Sequence, residues 1–159
     1  MFGPPEPADG RTRVKICGIT DAEDAVAAIE GGADALGWNF FPGSKRFISP
    51  RRAIAIITSL PQPTTHVAVM VNPTFDEAAE IASSGIFAAL QLHGAETAAF
   101  CRQLAAHGIR FTKAVAVAAQ IAEPITDFAT DTIVLDSAAA GQFGGSGSVF
   151  PWERAVDLR

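Results

Sequence analysis

Cys17, His93 and Asp136 each stand at or just beyond the end of a short apolar run, and Gln91 lies two residues before His93. A thiol becomes a base where a positive field favours its thiolate. A carboxylic acid can deliver a proton, and an imidazole can do either. Arg46 follows another run in the segment PGSKR, and a guanidinium suits a carboxylate. If the runs are β-strands, residues two apart share a face, so Lys15 goes with Cys17 and Gln91 with His93. Inward faces would bring thiol, imidazole and carboxylate to one pocket.

Each residue also has a plainer reading. Cys17 fits as a small buried apolar residue, and Asp136 as the cap of a turn. His93 fits a hydrogen-bonded loop, and Lys45 with Arg46 fits a solvated charge pair. Lys15 and Lys113 fall inside strand-like runs, where an ammonium must pair or reach water. Either serves structure or holds an anion. The glycine-rich stretch GQFGGSG at 141–147 matches neither the P-loop nor G-x-G-x-x-G. It reads as a lid or as a backbone nest for an anion.

Regular elements must carry these residues. Runs beginning near Val14, Ala35, His66, Phe87, Arg110 and Asp131 alternate with alanine-rich amphipathic stretches. That rhythm predicts parallel strands in βα units. Thr20 with Glu23, and Thr74 with Glu77, have capping-box spacing. Ser49-Pro50 reads as an N-cap with proline at N1, and Gly108 as a helix C-terminal glycine. Ile54, Ile57 and Leu60 give the helix after Pro50 one apolar face, and Phe100, Leu104 and Ala105 do so for the helix after Ala95. The candidate functional residues then gather at the C-terminal ends of the strands, where parallel βα folds place their active faces.

The strand onsets repeat at about 23 residues, and eight such units need roughly 200 residues. The 159-residue chain holds six. The pattern therefore describes an open α/β sheet or a barrel lacking its last quarter. Hydrophobic residues make up 48% and charged residues 18%, which excludes a disordered scaffold. The net charge of -5 gives no reason to expect nucleic acid or an anionic membrane. Two cysteines make no disulfide framework, and no spacing resembles a zinc site, so a reducing cytoplasmic compartment is expected and no metal. Residues 1–12 are rich in proline and glycine, lack the apolar core of a signal peptide, and read as a flexible arm.

VKICGIT, GADALGWNFFPGSKRFISP, VAVMVN, LQLHGAE and VLDS, with GGSG and F-W after it, follow one another in an order and spacing that resembles the phosphoribosylanthranilate isomerase family. The resemblance covers about residues 13–159. It implies a (βα)8 TIM barrel, here an incomplete one with about six of its eight units. It also implies an Amadori rearrangement in tryptophan biosynthesis, on a small phosphoribosyl anthranilate substrate, without metal or cofactor. By the match, Cys17 would be the general base, Asp136 the general acid, and Arg46 the holder of the anthranilate carboxylate. Gln91 and His93 would line the pocket, and Gly144, Gly145 and Ser146 would touch one side of the phosphate.

In that family the phosphate is held mainly by loops after the seventh and eighth strands. Much reduced activity is therefore expected of this chain alone. Long apolar edges on the first and sixth strands would favour a homo-oligomer. Two other readings compete. A histidine-pathway aminoaldose isomerase on the same barrel would carry aspartates at the ends of its first and fifth strands, which this sequence lacks. A folded fragment could bind such ligands or associate with itself without turnover.

Overall fold

The computed structural model describes residues 10–116 and 124–137. Six strands form one sheet in the order β1-β2-β3-β4-β5-β6, every neighbouring pair parallel. They are β1 Lys15–Cys17, β2 Ala35–Asn39, β3 Thr65–Met70, β4 Ala89–Leu92, β5 Phe111–Ala116 and β6 Ile133–Asp136. The helices α1 Ala22–Glu30, α2 Pro50–Ser59, α3 Phe75–Ser83 and α4 Ala98–Ala106 follow the first four strands, and a 3-10 turn, Ile125–Phe128, precedes β6. Strand order equal to chain order, with a helix in each of the first four crossovers, is the winding of a βα barrel wall. All six expected strands are present. The sheet curls toward a half-barrel, as expected for the TIM-barrel class.

Alternation along the strands separates two faces. Leu36 and Trp38 of β2, Ala68 and Met70 of β3, Leu90 and Leu92 of β4, and Phe111 and Val115 of β5 pack with the helices in one apolar cluster. The intervening residues, Gly37, Val67, Gln91 and Ala114 among them, face the other way. Cys17 pairs with Gly37, and Asp136 with Ala116, so both belong to this second, concave face.

The helices sit on the sheet where small residues allow contact. Ala25, Ala53 and Ala78 are fully buried. In α4 the buried stripe is Ala98, Cys101 and Leu104, whereas Ala105 is exposed. The expected stripe through Ala105 is thus one position off: Cys101 lies one turn before Leu104, and Phe100 packs at the margin.

Helix starts largely follow their chemical marks. Thr74 and Glu77 form the full capping box. Ser49 caps α2 with Pro50 as its first helical residue. For α1 the cap is Asp21, which accepts from the Asp24 amide at 2.9 Å, rather than Thr20. A carboxylate one residue later makes the same bond and leaves Glu23 inside the first turn, beside the positive end of the helix. Gly108 follows α4 with a left-handed backbone, φ +70°, as a C-terminal glycine should.

Two polar features brace the sheet. Asp34, before β2, accepts from Arg11, Arg13 and the Val14 amide. The Arg11 guanidinium foremost, then the Val14 amide, hold its carboxyl well below the usual carboxylate range. His66, on the helix side of β3, accepts from the Trp38 indole at 3.2 Å through Nδ1. Burial lowers its basicity below that of a free imidazole. Residues 1–9, most of the expected arm, lie outside the described residues.

Candidate functional site

The C-terminal rim of the concave face carries two clusters. The first is built by β1 and β2. Cys17, a half-buried free thiol, ends β1 opposite Gly37. A Cβ on Gly37 would meet the Cys17 Sγ at 2.7 Å and the Lys15 Nζ at 2.9 Å. The sulfur and the ammonium therefore lie side by side in space that only glycine leaves open. Lys15 is thus the cation beside the thiol, and the face shared by the two is confirmed.

Arg46 joins the same cluster from the β2–α2 loop. Its Nη1 donates to the Cys17 carbonyl at 2.6 Å. The loop is fixed from below: Asn39 donates to the Ser44 hydroxyl at 3.1 Å, and that hydroxyl accepts from the Arg46 amide at 3.1 Å. A guanidinium has five N–H donors, so an Arg46 held by one bond keeps a fork for a carboxylate. Lys45 points to solvent, as a surface charge would.

The second cluster is built by β4 and β6. His93 Nε2 lies 2.7 Å from Asp136 Oδ2, and Gln91 Nε2 lies 2.9 Å from His93 Nδ1. The side chains of His93 and Asp136 are each 18% exposed, so a ligand can still reach them. Gln91 is buried, and its Oε1 has no hydrogen-bond partner. Residues 138–159 lie outside the described residues, and with them Gly144, Gly145 and Ser146.

Lys113 does not belong to either cluster. It points to the helix side of β5, 4% exposed, and donates to Glu96 Oε2 at 2.9 Å, Gly94 O at 2.8 Å and Ala114 O at 2.9 Å. Three protons with three acceptors leave none for an anion, so of its two readings the structural one holds. Glu96 in turn accepts from the amides of Asn72 at 2.8 Å and Gly94 at 3.0 Å. The buried pair thus clamps the end of β3 to the loop that carries His93. Gly94 is required there, because a Cβ would fall 2.4 Å from the Asn72 Oδ1.

Sequence reasoning missed Glu96. A lysine placed inside a strand-like run was the available signal, since a buried ammonium calls for a nearby carboxylate. Among the described residues, no group of three or more His, Cys, Asp or Glu side chains converges as a metal site would. No helix among them is long and apolar enough to cross a membrane. A hollow of about 310 Å³, lined by Thr65, Ala89, Phe111 and Thr132, opens at the other end of the strands, away from both clusters.

Comparison with known proteins agrees with this geometry. Residues 14–158 match the family model for N-(5'-phosphoribosyl)anthranilate isomerase. The isomerase of Thermotoga maritima is 40% identical over 148 residues, covering 92% of this chain and 71% of that protein. The crystal structure of the isomerase from Thermus thermophilus superposes with a TM-score of 0.75 at 32% identity, covering 92% of this chain and 71% of that one. Another solved isomerase, in complex with reduced 1-(o-carboxyphenylamino)-1-deoxyribulose 5-phosphate, superposes with a TM-score of 0.65 at 39% identity, over 79% of this chain and 65% of that one. The six parallel strands, the chemistry at their C-terminal rim and these matches lead to one conclusion: the chain belongs to the N-(5'-phosphoribosyl)anthranilate isomerase family.

Proposed function

We propose that this chain isomerises N-(5'-phosphoribosyl)anthranilate to 1-(2-carboxyphenylamino)-1-deoxyribulose 5-phosphate, with Cys17 as base and Asp136 as acid. The observation that carries this reading is their placement. Each is the last residue of its strand, on the same face and the same rim, and each has its own polar support.

Asp136 delivers its proton to the ribose ring oxygen. The C1'–O bond breaks as the anilinic nitrogen lone pair forms the imine, which opens the ring. The Cys17 thiolate removes the C2' proton, and the electron pair left behind forms the enolamine. Protonation at C1' and loss of the C2' hydroxyl proton give the ketone. Lys15 places a positive charge beside the sulfur that must act as an anion. His93 Nε2, 2.7 Å from Asp136 Oδ2, orients the carboxyl. Arg46 takes the anthranilate carboxylate and so orients the ring-bearing nitrogen above Cys17.

Steady-state fluorescence of Cys17→Ala and Asp136→Asn tests the assignment. General acid or base catalysis contributes about 10²–10⁴-fold per group, so kcat should fall by that order in each. Near wild-type turnover in both would refute the roles. The glycines at 144 and 145 with Ser146 belong to the phosphate end of the same reading. Raised KM in Ser146→Ala, with kcat retained, is the expected sign.

Self-association belongs to the reading as well. Val14, just before β1, and Ile16 within it are 45% and 42% exposed, at the end of the described sheet. That strand has three residues and β6 four, so the edges are shorter than expected, and pairing with a second copy would be weak. Light scattering that shows only monomer at micromolar concentration would refute it. A cytoplasmic setting fits a free thiol at a site whose chemistry needs it reduced.

A further inference from the structure

Asn39, the last residue of β2, anchors the loop that carries Arg46. Its carbonyl accepts from the Ile48 amide at 2.9 Å, and its side-chain oxygen accepts from the Phe41 amide at 2.9 Å. Its Nδ2 donates to the Ser44 hydroxyl at 3.1 Å. The same hydroxyl accepts from the Arg46 amide at 3.1 Å, so Ser44 joins the strand end to the backbone of Arg46. The Arg46 side chain then runs across Gly18 toward Cys17. A Cβ on Gly18, where φ is +89°, would fall 2.6 Å from the Arg46 Cδ, 2.7 Å from Nη1 and 2.8 Å from Cζ. Nη1 donates to the Cys17 carbonyl at 2.6 Å. That bond spends Nη1, and the edge formed by Nε and Nη2 stays open among the described residues. Such an edge matches a carboxylate with two parallel bonds.

We propose that Ser44, braced by Asn39, is a positioning residue for the ring carboxylate of the substrate and acts through Arg46. The inference rests on the proposed role of Arg46 and deepens it, by naming what gives that arginine its aim. A long exposed side chain loses rotamer freedom when it pairs with an anion, and that loss offsets much of what an exposed ion pair contributes. Here much of the freedom is already lost in the folded chain. The Ser44 hydroxyl fixes where the side chain leaves the loop, Gly18 leaves room beneath it, and the Cys17 carbonyl fixes its far end. A ligand with a carboxylate finds the edge already set, whereas a ligand without one gains nothing from it. Ser44 therefore sets the preference for the carboxylate.

The hydroxyl is not what closes the loop. The Ser44 amide donates to the Phe41 carbonyl at 3.0 Å, the Ser44 carbonyl accepts from the Phe47 amide at 3.1 Å, and Phe47 bridges to Asn39. These are main-chain contacts, and they remain when the hydroxyl is removed. What the hydroxyl adds is a direct hold on the Arg46 amide.

Two measurements on the full chain and its Ser44→Ala variant test this. The first is nitrogen NMR of the Arg46 guanidinium without ligand, assigned by its loss in Arg46→Lys. The wild type should show a restrained group, set apart from freely turning arginines, and Ser44→Ala should merge it with them. An Arg46 signal that is the same in wild type and Ser44→Ala would overturn the proposal whatever the binding. The second is calorimetric binding of two probes, the product reduced at its ketone and the same compound with phenyl in place of carboxyphenyl. The wild type should prefer the first by about tenfold or more, as hydrogen bonds to a charged group imply. Ser44→Ala should cut that preference by about threefold to tenfold, while binding of the phenyl compound changes by less than about twofold. Equal weakening of both probes in Ser44→Ala would mean a general loosening of the rim and would overturn the proposal. A preference lost in Arg46→Lys but kept in Ser44→Ala would overturn it while leaving Arg46 its role. A wild type that binds both probes alike would refute the role of Arg46, and the proposal with it.

Discussion

Removing the Lys113 ammonium tests whether the site's rim is held by one buried ion pair. In Lys113→Met the stem keeps its volume, while Glu96 loses its cation and the carbonyls of Gly94 and Ala114 lose their donor. Breaking a buried pair from one side costs about 3–5 kcal/mol. Glu96 keeps the amides of Asn72 and Gly94, so the lower end applies, about 3 kcal/mol. That is a large share of a total stability of about 5–15 kcal/mol. With a urea slope near 1.5 kcal/mol/M, the midpoint should drop by about 2 M. The double variant Glu96→Gln/Lys113→Met removes the stranded charge while its amide oxygen still accepts from the two backbone N–H groups. It should be more stable than Lys113→Met alone, a coupling that a double-mutant cycle reads directly. A loss below about 1 kcal/mol in Lys113→Met, or a double variant weaker than the single one, would refute the clamp.

The other expected outcomes concern separate parts of the fold. Gly37→Ala drives a methyl into the Cys17 sulfur and the Lys15 ammonium, both under 3 Å away; it should cost about 1–3 kcal/mol by thermal melt and lower kcat more than it changes KM. His66 has a folded-state pKa depressed by burial below its ordinary 6.5. The stability it contributes is therefore complete above that value and is lost as pH falls below it, because the unfolded chain takes the proton first. Urea midpoints between pH 8 and 5 should show this slope in the wild type. His66→Leu should flatten it and lower the melting temperature at pH 8, since the Trp38 indole N–H is left without its acceptor. Thr74→Ala removes the hydroxyl half of the α3 capping box, leaving the residue 74 amide on the Glu77 carboxylate, and should cost about 1 kcal/mol by the same assay.

What could be read before folding, and what could not, divides along range. Strand onsets, the Ser49-Pro50 start and the Thr74 box are local patterns, and a short window of sequence contains everything that decides them. The α1 cap was misplaced by one residue because Thr20 and Asp21 are both good caps, and only the path of the chain after Gly18 chooses between them. The α4 stripe was misplaced because Ala105 and Cys101 are both small and apolar, and the sheet beneath them decides which is covered. Lys113 was ambiguous for a deeper reason. Its partner Glu96 lies in the β4–α4 loop, a whole helix away in sequence, and strand parity alone does not say which face of β5 turns to the helices. Lys15 beside Cys17 was legible from parity, but the reason the two can crowd together is the missing side chain of Gly37, on another strand.

Cys17 and Asp136 close the two outermost strands of the described sheet, and this separates the control of charge from the control of geometry. The groups that set the charge around each are local. Lys15, Gly37 and Arg46 reach Cys17 from β1, β2 and the loop between β2 and α2, while His93, itself met by Gln91, reaches Asp136 from the end of β4. The gap between sulfur and carboxylate is different. It accumulates over five strand pairings, each adding its share of twist and curl. Packing behind β3, where Trp38, His66, Ala68 and Met70 meet the helices, therefore bears on the distance across the ribose without touching either reacting group. A loosened core there should lower kcat although no contact of Cys17 or Asp136 has been removed, and unchanged turnover in a core variant of reduced melting temperature would refute this.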